Sequence, residues 1–172
     1  PAQVGALDPD LLSAIAPDSL RKLGALQISG LTAGQLSSLT GDDLRKFAAM
    51  QVGRFSTAQL NALSPAQVAA FDPEQVAGLA AAQISGLSPA NLRALTSAQL
   101  GALSNDQLAG LSGEQIGVLT LDQFQALSAS QVGGLSAAQI GGLPLAKVAQ
   151  LTAQDLGEFG AAQFRALAPA QI

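Results

Sequence analysis

The sequence has no cysteine, histidine, tryptophan or tyrosine, and aromatic residues make up 3% of its 172 positions. Without cysteine and histidine there is no disulfide, no zinc site of the usual kind and no thiol or imidazole chemistry. Charge is scarce as well. Eight cations stand against twelve acids, for a net charge of −4, the wrong sign for a protein that tracks nucleic-acid phosphates. Apolar residues reach 48%, yet a polar residue recurs every few positions, so no run is long enough to cross a membrane. No basic-then-apolar leader stands at the start, and the chain begins at Pro1 rather than at methionine. That start leads to the expectation of a processed product or an excised piece of something longer. The missing cysteine agrees with a bacterial secreted setting, where large proteins often lack it.

What is present is one repeat. Written in eights, the chain reads PAQVGALD, PDLLSAIA, PDSLRKLG, ALQISGLT and so on, without insertion or deletion, to a final half unit PAQI. The single domain therefore spans residues 1–172 as 21.5 units. Position 4 is apolar in every unit, from Val4 to Ile172, and position 7 is Leu, Ile or Phe in every unit, from Leu7 to Leu167. Position 3 is Gln in 16 of 22 units and position 8 is Ser, Thr or Asp in 14 of 21, enough to set a register.

That register is a helix start, written again in each unit. Position 8 is the N-cap, whose oxygen accepts from the exposed N–H groups of the next turn. Gln three residues later reaches back to the cap N–H, completing a capping box. Seven of the eight prolines (Pro1, Pro9, Pro17, Pro65, Pro73, Pro89 and Pro169) sit at position 1, the first helical position, where a missing N–H costs nothing. Positions 7 and 4 flank the cap as a hydrophobic staple. The spacing predicts one helix of about five to seven residues per unit, too short to stand alone and hence packed on its neighbours as a solenoid. Glycine at positions 5 and 6, as at Gly53, Gly101, Gly133 and Gly142, permits a turn and close backbone approach.

Two rival folds fail. In one long helix the apolar stripe would drift about 80° per unit, and the prolines would break it. In a β-helix, positions 4 and 7 would point to opposite faces. The fold class is therefore all-α, a solenoid of very short helices. Arg21, Arg45, Arg93 and Arg165 share position 5 and are separated by multiples of 24, which favours three helices per superhelical coil; two per coil is the alternative. Gln at position 3 is read as a cap, with a glutamine ladder between coils as the alternative.

The candidates for acid–base chemistry are carboxylates, and the nearest pairs are Asp42 with Asp43, Asp72 with Glu74, and Asp155 with Glu158. Most acids instead fall at position 2 (Asp10, Asp18, Asp42, Glu74, Asp106, Glu114, Asp122), in the first helical turn that the helix dipole favours. No Asp-rich calcium loop is present. Arg21, Lys22, Arg45, Lys46 and Arg54 form the densest basic region and read as solvated charges beside Asp18, Asp42 and Asp43. The six phenylalanines all replace apolar residues at position 4 or 7 and read as core. No catalytic, cofactor-binding, metal or nucleic-acid-binding residue is assigned, and no enzyme is expected.

Units such as LSPAQVAAF, LTSAQLGAL and LSAAQIGGL resemble the octapeptide tracts, roughly L-[ST]-x-x-Q-[ILV]-x-x, of very large bacterial secreted or surface proteins described as adhesin-like. The resemblance covers the whole chain and implies an extracellular or cell-surface location. It carries no catalytic residues to transfer. The pattern departs at Leu11 and Ser19, where Gln is missing, and at Ala16, Gly24 and Pro144, where the cap is missing. The expected role is a rigid spacer, stalk or fibre segment, with the chain itself as a partner by end-to-end stacking. The alternative is a solenoid binding module for a protein or glycan.

Overall fold

The computed structural model describes residues 5–6 and 8–167, in which twenty helices of four to six residues run from Pro9–Ser13 to Ala161–Ala166, one per unit. No strand occurs among the described residues. The readings at Pro1, Val4, Leu7, Pro169 and Ile172 lie outside them.

Each helix starts where the register places it. Pro9, Pro17, Pro65, Pro73 and Pro89 are all first helical residues. Position 8 is extended, as at Ser64 with φ −70° and ψ 157°. Each helix ends because the position-7 N–H donates three residues back to the position-4 carbonyl, as Leu103 does to Leu100 at 3.1 Å, and the chain then leaves the helix. No described residue has a positive φ. Glycine is therefore not needed to turn the corner, which corrects that half of the sequence expectation. Close approach holds at Gly53 and Gly142, where a Cβ would lie 2.6 Å from the Gly78 carbonyl oxygen and 2.7 Å from the Gly113 Cα, but not at Gly133, where a Cβ would meet nothing within 4 Å.

Helices stack on those three units before and after. Pro65–Ala69 packs on Gly41–Arg45 and carries Pro89–Ala94; Ala81–Ser85 carries Asn105–Ala109. The solenoid thus has three helices per coil, not two, and Arg21, Arg45, Arg93 and Arg165 fall on one of its three faces. Position 4 is buried in every unit from Leu12 to Val148, and position 7 in every unit from Leu31 to Leu143, in one continuous core. At about 1.5–3 kcal/mol for each fully buried side chain, this stripe is the main favourable term. Five phenylalanines lie in it as expected. Phe164 departs from the expectation, being 41% exposed, because no described helix stacks on its outer side.

Candidate functional site

The chemistry of this chain is concentrated at the corners of the coil, where one helix ends and the next begins. At the corner before Pro65–Ala69, the Ser64 N–H donates to Gln67 Oε1 at 2.8 Å, and the Gln67 N–H donates back to Ser64 Oγ at 3.3 Å. This is the expected capping box. The other end of the same side chain is also engaged. Gln67 Nε2 donates to the carbonyls of Leu36, Ser37 and Leu39 at 3.1, 3.1 and 2.6 Å. Those carbonyls lie at the C-terminal end of the helix Ala33–Ser38; the Leu36 carbonyl already accepts from the Leu39 N–H at 3.2 Å, and the amide adds donors at a helix end that is short of them.

The pattern repeats along the chain. Gln51, Gln75, Gln99, Gln131, Gln139 and Gln163 each place Oε1 on a cap N–H and Nε2 on carbonyls 28 and 31 residues earlier. Capping and the inter-coil ladder are thus not alternatives. One amide does both, because it has an acceptor and a donor on opposite sides of one planar group. The same two-ended amide explains why a polar residue is buried at most corners; Gln99 is 1% exposed.

The departures confirm which half of the amide matters where. At Gly24 the cap side chain is missing, yet the Gly24 N–H still donates to Gln27 Oε1 at 2.8 Å. Ala48, Ala80 and Gly160 behave alike, at 2.9, 2.6 and 2.7 Å. Ala16, followed by Ser19, has no side-chain cap at all. Asn91 is one methylene shorter. Its Nδ2 keeps the inter-coil bonds, to Leu60 and Leu63 at 3.1 Å each, but its oxygen no longer serves the cap N–H of Ser88. Asn61, from the coil below, accepts from that N–H at 2.7 Å instead.

Lys147 is the second substitution of this kind. Its ammonium donates to the carbonyls of Ile116, Gly117 and Leu119 and so reproduces the donor half of glutamine. Lysine has no acceptor, but the cap residue here is Pro144, which has no N–H to satisfy. The two departures cancel. Burial, and then repulsion from Arg93, lower the Lys147 pKa to about 8. Two outcomes follow. Lys147→Gln and Pro144→Ser should be non-additive in urea unfolding, coupled by about 1–2 kcal/mol, because each alone strands an acceptor or a donor that the pair satisfies. Additive effects would refute the pairing. Since folding lowers this pKa, burying the charged form is a penalty below pH 8 that is removed as pH rises toward the unfolded lysine value near 10.4. Stability of the wild type relative to Lys147→Gln should therefore increase across that window, in urea midpoints measured from pH 7 to 10.5.

The candidate carboxylate pairs do not converge on a shared centre. Asp42 pairs with Arg45 at 2.7 Å, while Asp43 turns inward to Lys46 at 2.7 Å and to the Thr40 N–H at 3.0 Å. Asp72 faces Arg45 at 3.8 Å, and Glu74 is exposed. Asp155 holds the position-3 role as an acceptor only, taking the Thr152 N–H at 2.7 Å and the Gln125 amide at 2.9 Å. Burial raises its pKa, but hydrogen bonds from Thr152 and Gln125 outweigh that and leave it below the ordinary value. No group of three or more potential metal ligands occurs among the described residues, and none of their helices is long and apolar enough to span a membrane. The corner residues that pattern reading passed over are Asn61, Asn91 and Lys147. The signal was there, since Asn91 and Lys147 stand at position 3, but their partners lie in other coils.

A family model described as the ALTTAQ repeat matches residues 76–113 and again residues 84–121, two placements offset by one eight-residue unit. The run Ala94–Gln99, ALTSAQ, differs from that name at one position and contains a complete cap and its glutamine. The matched segment is thus a tandem repeat. No curated protein matches the chain.

Proposed function

We propose that the chain is a non-catalytic structural spacer, a stiff three-sided rod within a larger bacterial protein that acts outside the cell or on its surface. The observation that carries this reading is the corner amide. Where position 3 is Gln or Asn, it ties the helices from Ala49–Val52 onward to the coil below at separations of 28 to 31 residues, so bending the rod would strain hydrogen bonds in corners that are mostly buried. A rod of this kind extends by addition. Each further coil of 24 residues adds one helix diameter of about 8–10 Å. The octapeptide resemblance and the absence of cysteine support the extracellular setting.

Small-angle X-ray scattering tests this with variants that duplicate one or two central coils. The maximum dimension should rise by about 8–10 Å per coil with an unchanged cross-section. A cross-section that grows while the length stays fixed would refute the rod. A length that increases with protein concentration would add end-to-end self-association and make the segment part of a fibre.

A further inference from the structure

Among the described residues the outer surface carries five exposed large apolar side chains, Leu11, Leu26, Met50, Leu145 and Phe164, and two of them stand out. Among the described residues position 2 is exposed in every unit, and along the sequence it holds Ala, Gly, Ser, Gln, Asp or Glu in 20 of 22 units. The two exceptions are Leu26 and Met50, the latter the only methionine of the chain. They are 70% and 77% exposed, the two most exposed of the large apolar side chains. They are also 24 residues apart, which places them on adjacent coils of the same face. Burial cannot account for either side chain. Beside Met50 runs an open groove of about 360 Å³, lined by Arg21, Leu23, Ala25 and Arg54 among others. Arg54 has no ion-pair partner among the described residues, and Arg21 only grazes Asp18 at 4.0 Å.

The geometry points to this patch as a docking site for an acidic peptide segment of another protein, one that carries carboxylates on either side of an apolar residue. Charge complementarity selects this occupant. Residues 17–54 hold five of the eight cations and only three of the twelve acids. The two arginine forks match carboxylates in geometry as well as charge. Leu26 and Met50 supply the apolar contact, and methionine adapts its shape to varied partners. An anionic lipid surface fits less well, because the other coils carry nine acids against three cations and would be repelled by it. The proposal does not depend on the spacer role, since a rod can present a docking point on its side.

The test uses the whole chain as bait for a phage-displayed library of random dodecapeptides. Enriched peptides should combine Asp or Glu with Leu, Ile, Met or Phe. Their binding should fall at least about tenfold in Leu26→Ser/Met50→Ser and, separately, in Arg54→Glu. These side chains are exposed, so the helical circular dichroism should not change and a loss of binding is not a loss of fold. Vesicles of phosphatidylserine and phosphatidylcholine provide the second arm and should not bind. No enrichment, enrichment of peptides without acids, equal binding to the variants, or vesicle binding that the variants abolish would each overturn the assignment.

Discussion

Replacing Gln99 by Glu is expected to lower the unfolding free energy by about 3–5 kcal/mol, although the change is nearly isosteric. Gln99 is 1% exposed, takes the Thr96 N–H at 2.7 Å, and gives its amide to the carbonyls of Val68 at 3.0 Å and Phe71 at 2.7 Å. Glutamate keeps the shape and the acceptor. It replaces the donor by a second acceptor facing two carbonyls, with a buried charge that nothing compensates. Urea unfolding followed by circular dichroism measures the loss. The natural pair at Pro144 and Lys147 suggests the control. Gln99→Lys combined with Thr96→Pro should recover most of the stability, because it restores the donors and removes the N–H that lost its acceptor. A loss below about 1 kcal/mol in Gln99→Glu would mean that the inter-coil amides contribute little.

Phe47→Ala should cost a similar amount, about 3–5 kcal/mol, for a different reason. Phe47 is 2% exposed and meets Phe55 edge to face at 5.7 Å. Truncation leaves a cavity at a corner where stacked coils cannot collapse without breaking their amide ties. Phe164→Ala provides the contrast, since that ring is 41% exposed and should cost well under half as much. Because each coil touches only its neighbours, the loss in Phe47→Ala should be local. Hydrogen exchange should accelerate in residues 17–71 before residues 121–143. Uniform acceleration along the chain would show that the solenoid unfolds as one unit.

The candidate site was half legible in the sequence. The capping role of Gln was readable because its partner lies three residues away, in the same unit. The inter-coil role was not, since its partners lie 28 to 31 residues away and depend on how the coil closes. The apparent faults at Pro144 and Lys147 look like two separate losses in the sequence and become one complementary pair in the fold. Leu26 and Met50 are similar. In the linear pattern they are two irregular residues, and three helices per coil makes them neighbours on one face.

The sequence by itself determined the eight-residue period, one short helix per unit, the start of each helix and the two buried positions. These follow from interactions within a single turn: a cap oxygen, a proline at the first position, an apolar pair across the cap. Their energies are local and need no knowledge of where the chain goes next. Only the tertiary structure decided that three helices complete a coil, that one amide serves two coils at once, and which surface residues meet. Closure of the coil rests on helix contacts three units apart and on hydrogen bonds 28 to 31 residues apart, and these belong to the coils packed together rather than to any one unit.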